Sequence, residues 1–148
     1  MLQVAILIND PHKSILSRIV NLFTRSTASH VEIVFSDGMA TIVTPSERVL
    51  AKRDEPYDLY HWVMIPLPEI TYLQESLIRK KAEEIFASHP KYDYLGAISG
   101  FFGSSRQDKS RWYCGELVVE LLRDYVPELA ALNWAIPEDI WFMLADKK

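Results

Sequence analysis

The sequence holds one cysteine, so no disulfide can form within the chain and its fold does not depend on an oxidising compartment. It lacks a basic excess: the net charge of −4 argues against a general electrostatic grip on nucleic acid, which needs a basic face. The local basic runs, Arg79-Lys80-Lys81 and the Lys109/Arg111 region, read as solvated faces. A long apolar run is also missing. The opening stretch, Met1 to Asp10, has no basic leader and is too short for a secretion signal or a membrane span, so the expected location is cytoplasmic, with no integral membrane segment. No repeat or long linker interrupts residues 1–148, which read as a single domain with enough apolar residues, 49%, to bury a core. No pair among the four histidines and Cys114 has close ligand spacing, so neither a metal site nor a cofactor is expected.

What is present sorts into a strand half and a helical half. Met1 to Asp10 reads as a buried first strand, and Asn9-Asp10-Pro11 as a turn into a helix capped by Ser14. The β-branched run His30-Val31-Glu32-Ile33-Val34-Phe35 meets Asp37-Gly38, a strong hairpin signal, and Thr41 to Thr44 supplies the return. A further sheet element is expected at Leu59 to Leu67. From Ile70 to Ser88 the spacing turns helical and predicts Leu73, Leu77, Ile78 and Ile85 on the buried face. Short helices are expected at Leu95 to Phe102, at Trp112 to Tyr125, and from Pro137, a good first-turn residue followed by Glu138 and Asp139. The fold class is therefore α+β, an antiparallel sheet packed against helices.

The segment Arg111-Trp112-Tyr113-Cys114-Gly115-Glu116-Leu117-Val118 is the most informative. Cys114 stands near the start of an amphipathic helix, where unpaired N–H groups favour a thiolate and can hold an oxyanion. The helix alone supports two readings of Cys114: a small packed hydrophobe, or a nucleophile. Of the histidines, His12 and His89 sit beside prolines in a turn and at a helix end, and His61 lies in a strand-like run. His30 opens a strand and shares a face with Glu32, a base with a carboxylate close by, or a hydrogen-bonded strand histidine with no chemistry.

The phrases Ser29-His30-Val31-Glu32-Ile33-Val34-Phe35, Asp37-Gly38, Tyr92-Asp93-Tyr94 and Trp112-Tyr113-Cys114-Gly115-Glu116-Leu117-Val118 together resemble the circularly permuted NlpC-like hydrolases of the YiiX type. These are papain-fold enzymes related to lecithin–retinol acyltransferase. The histidine strand precedes the cysteine helix here, the permuted order, and Ile136-Pro137-Glu138-Asp139-Ile140-Trp141 is similar to the closing helix of that group. The resemblance implies Cys114 as nucleophile, His30 as general base, and Tyr92 (with Tyr94 its competitor) as a donor beside the cysteine. It implies a third polar residue on the strand after the histidine, but Thr41 to Thr44 holds no carboxylate or amide. Glu32 is then the candidate orienting group, with Thr44, Ser46 and Glu47 open alternatives. A two-residue turn sets His30 opposite Pro45, and a three-residue turn sets it opposite Ser46.

The function so implied is hydrolysis of an amide (peptide) or ester bond through a thioester on Cys114, with a peptide or an amide- or ester-containing small molecule as substrate. A non-catalytic binding module on the same fold and a lipid acyltransferase are the rival expectations. The polar loop Ser104 to Ser110, just before the cysteine helix, is a candidate lid.

Overall fold

The frame is five short strands: β1 (Gln3–Leu7), β2 (His30–Val34), β3 (Met39–Val43), β4 (Arg48–Lys52) and β5 (Trp62–Pro66), in the order β4-β3-β2-β1-β5. The computed structural model describes residues 1–8, 28–43, 48–88, 91–92, 111–112, 114–132 and 135–146. Every pairing in this sheet is antiparallel. The first strand, the hairpin and the third sheet element fall where the sequence predicts them. Strand β4 does not: its five residues are half-buried or exposed at an edge, and their pattern carries no strong strand signal.

The hairpin register differs from both expected ones. Phe35 and Met39 face each other across a three-residue loop, Ser36 to Gly38, through Phe35 N–H to Met39 O at 2.8 Å. Gly38 takes φ of +85°, the left-handed conformation that a side chain disfavours, and this lets the turn close one residue earlier. Val34 consequently pairs with Ala40. Extending that register sets Glu32 opposite Ile42.

Both faces of the sheet are apolar, and they bury against different partners. Val4 and Ile6 of β1 and Val31 and Ile33 of β2 point into the main core with the helices, while Ala5, Val34 and Ala40 point the other way. Helix α1 (Tyr72–Ser88) packs against this frame. Its phase differs from the sequence expectation: Leu73 and Leu77 are 70% and 48% exposed, and Glu75, Ile78 and Ala82 are buried. Polar contacts to the hairpin set this phase. The Glu75 carboxylate accepts the Ser36 N–H at 2.6 Å, and Arg79 reaches Asp37 at 2.6 Å while lying over the Phe35 ring.

Two short strands, β6 (Lys91–Tyr92) and β7 (Arg111–Trp112), form a separate parallel pair. Helix α2 (Cys114–Leu122) follows β7, two residues later than expected because Arg111 and Trp112 are extended. Its stripe of Leu117, Val118, Leu121 and Leu122 is buried, with α2 packed on β2. A short helix α3 (Pro127–Ala130) and helix α4 (Pro137–Ala145) complete the helical layer. Pro137 opens α4 as predicted, and the Asp139 carboxylate accepts the Ile136 N–H at 3.2 Å. The Ser14 helix, the Leu95 to Phe102 segment and the Ser104 to Ser110 loop lie outside the described residues.

The connection from β4 to β5 matters most for the site. These strands are opposite edges of the sheet, so residues 53–61 cross from one edge to the other over the face away from the helices. An extended chain of that length reaches roughly 30 Å, and four strand spacings need about 19 Å. The crossing carries Arg53 and Tyr57 over the middle strand.

Candidate active site

His30 is the first residue of β2, and Cys114 is the first residue of α2. Because α2 packs on β2, the strand start and the helix start meet. The Cys114 sulfur is close enough to the His30 imidazole there to act on its charge. The helix begins at Cys114, so its own N–H is among the first-turn donors without an intrahelical partner. Cys114 is 2% exposed and belongs to the main core.

The other side of the imidazole meets Glu32. His30 Nε2 donates to Glu32 Oε2 at 3.3 Å. Alternation along β2 gives His30 and Glu32 a common face, and Ala5 and Leu7 of β1 stand opposite them. Glu32 is fully buried, and the crossing segment satisfies it. Arg53 Nε donates to Oε1 at 2.6 Å and Arg53 Nη2 to Oε2 at 3.1 Å, while the Tyr57 hydroxyl donates to Oε1. Arg53 also lies 4.7 Å from the Trp62 ring centroid and 5.8 Å from that of Tyr57. Trp62 pairs with Leu7 on the side opposite His30, which sets the Trp62 and His30 rings edge to face with their centroids 6.3 Å apart.

These contacts polarise the cluster. Burial opposes a charged imidazole, but the neighbouring Cys114 sulfur and the Glu32 carboxylate outweigh it and push His30 up to about 10. Burial likewise opposes ionised Glu32, yet hydrogen bonds from His30 and Arg53 pull it down to about 2. Burial and the adjacent Glu32 charge raise the Tyr57 hydroxyl far above the usual phenol range, so it stays a donor. A cation–anion–cation run results, imidazolium, carboxylate and guanidinium, with the Cys114 sulfur beside the imidazolium.

Compared with protein-family models, with curated proteins and with solved structures, the chain matches none.

Of the residues that the sequence singles out, the structure brings together Cys114, His30 and Glu32. The backbone of Tyr92 pairs in register with Trp112, two residues before Cys114. Thr44, Ser46 and Glu47, the alternative orienting residues, lie outside the described residues, as do Tyr94, His12 and His89. Thr41 serves the sheet itself, its hydroxyl accepting the Ile33 N–H at 2.9 Å. His61 pairs with Asp58 at 2.8 Å on the exposed end of the crossing segment. The hydroxyl of Ser29, one residue before His30, is buried and has no hydrogen-bond partner among the described residues. The sequence assigns no site role to Arg53, Tyr57 or Trp62. They stand 21, 25 and 30 positions after Glu32, Arg53 and Tyr57 between strands and Trp62 at the start of β5. Among the described residues no group of three or more His, Cys, Asp or Glu side chains can hold a metal ion. No described helix is long and apolar enough to cross a membrane.

Proposed function

We propose that this protein is a cysteine hydrolase with a permuted papain-like fold, cleaving an amide or ester bond through a thioester on Cys114. The observation that carries the reading is the placing of the Cys114 sulfur beside His30, whose imidazole is hydrogen-bonded in turn to a buried, fully satisfied Glu32. A buried carboxylate held by four contacts fixes one nitrogen of the imidazole, and so aims the other at the thiol.

In this mechanism the sulfur, deprotonated by the His30 imidazole, attacks the acyl carbonyl carbon. The Cys114 backbone N–H at the start of α2 stabilises the oxyanion, with the Tyr92 hydroxyl as the candidate second donor. The imidazolium then returns its proton to the leaving amine or alcohol as the acyl–heteroatom bond breaks. Water, activated by the same imidazole, attacks the thioester and releases the carboxylic acid and the thiol. Glu32 stays ionised throughout, because Arg53 and Tyr57 hold it so.

A second reading is a binding module on the same fold, which the near-complete burial of Cys114 favours. A panel of acyl-mimicking electrophiles, peptide-like and lipid-ester-like, separates the two. The hydrolase reading expects a single covalent adduct on Cys114, absent in Cys114→Ser and strongly slowed in His30→Ala. It also expects a preference among the probes that names the substrate class. A folded protein that no probe labels contradicts it.

A further inference from the structure

The hydrolase reading needs a thiolate and an imidazolium side by side, with a second carboxylate on the far side of the ring. All three groups are largely withdrawn from water: the His30 side chain is 16% exposed and that of Glu32 not at all. Two anions flanking one cation make a net negative cluster, which a low-dielectric interior disfavours. The missing positive charge comes from Arg53, whose Nε and Nη2 take both oxygens of Glu32 at 2.6 and 3.1 Å.

Arg53 has a second hold on the site. Its guanidinium lies over Trp62, and the Trp62 ring meets the imidazole edge to face from the β5 side. One side chain, delivered across the sheet from the far edge, therefore supports both the carboxylate and the ring that bound His30. We propose that Arg53 is a positioning residue of the Cys114–His30 pair. It holds Glu32 and Trp62 against the imidazole and supplies the charge that lets the buried cluster carry a thiolate. This inference rests on the hydrolase reading.

The groups that face the pair are few among the described residues. Helix α2 contributes Cys114, the crossing segment contributes Arg53 and Tyr57, and β2 contributes Glu32. Strand β1 offers only Ala5 and Leu7 to that face, and β5 offers Trp62. With Arg53 present, the thiolate–imidazolium state is neutral overall. Without its charge, that state carries one net negative charge, while the state with a protonated sulfur is neutral. Forming the thiolate then requires a higher pH.

The test is the pH dependence of Cys114 alkylation by iodoacetamide, followed by intact mass in wild type, His30→Ala, Arg53→Met, Arg53→Lys and the double variant Glu32→Gln/Arg53→Met. Arg53→Met should move the acidic limb of the profile upward by about one pH unit, the size expected for removing a nearby compensating charge. Arg53→Lys keeps the charge and should restore the limb to its wild-type place, at a lower plateau rate because the two-pronged geometry is lost. The double variant removes both charges and should also return the limb. A purely structural role for Arg53 lowers the melting temperature and the plateau without moving the limb, and that result overturns the inference. Where Arg53→Met does not fold, the double variant decides, since it leaves no unpaired buried charge. A limb displaced by about one unit in it is the contrary result. A wild-type profile identical to that of His30→Ala overturns the hydrolase reading and this inference together. A His30-dependent profile that ignores Arg53→Met overturns this inference alone.

Discussion

Glu32 sits without solvent contact on the middle strand, and every one of its oxygens is already taken. Its replacement therefore leaves Arg53 and His30 without their shared anion. Breaking a buried pair from one side typically costs about 3–5 kcal/mol, and Arg53 retains some solvent, so Glu32→Ala should cost about 3 kcal/mol in denaturant unfolding. The same residue sets an acid limb. The folded-state value of Glu32 lies below its ordinary value of 4.5, at about 2, so its contribution is complete above 4.5 and fades as pH falls toward 2. His30 shows the opposite sign: raised from 6.5 to about 10, it contributes fully below 6.5 and loses that contribution as pH climbs toward 10. The melting temperature should therefore peak between about pH 4.5 and 6.5. Glu32→Gln should flatten the acid side and His30→Gln the alkaline side. A wild-type optimum well above that window, or limbs that survive these substitutions, would contradict the charge assignment.

At the scale of elements, the strands were legible and the helix phase was not. Alternation in His30 to Phe35 and the Asp-Gly signal identify the hairpin, because buried strands declare themselves through β-branched residues and turn chemistry. The register was not legible, since Gly38 permits a turn closed on Ser36 to Gly38 as readily as one centred on Asp37-Gly38. In α1 the apolar residues Leu73 and Leu77 suggest a buried stripe, but Glu75 and Arg79 are drawn to the hairpin by specific polar contacts and turn the helix. Such contacts depend on partners 39 and 42 residues away and leave no local pattern. The observed phase makes a plain forecast. Leu73→Gln and Leu77→Gln should each change stability by no more than about 0.5 kcal/mol, whereas Ile78→Ala should cost about 2–4 kcal/mol. Equal costs at Leu77 and Ile78 would restore the stripe that the sequence suggests. Gly38→Ala meets no neighbouring atom, so its cost of about 1 kcal/mol should come from the backbone alone.

For the whole molecule, the site depends on a connection that no local reading of the sequence reveals. Cys114, His30 and Glu32 stand on α2 and β2, and each belongs to a phrase that the sequence makes conspicuous. The residues that complete them, Arg53 and Tyr57, arrive only because β4 and β5 occupy opposite edges and the chain must cross between them. Strand order is a tertiary property, and β4 itself was not expected, so the crossing could not be foreseen. The account accordingly expects the crossing segment to be a working part of the site. Tyr57→Phe, which removes one donor to Glu32 but keeps the ring packed on Trp62, should lower the rate of Cys114 labelling several-fold with a small change in melting temperature of a few degrees or less.

The central claim, that Cys114 is a nucleophile activated by His30, is tested most directly by one comparison: the rate of Cys114 alkylation at pH 7 in the folded protein and in the same protein unfolded by denaturant. A packed thiol is shielded by folding and reacts more slowly when folded, while an activated one reacts faster despite its burial. The account predicts that folding accelerates the reaction by roughly ten-fold or more and that His30→Ala abolishes the acceleration. A folded protein that alkylates more slowly than the unfolded chain, with or without His30, would contradict it.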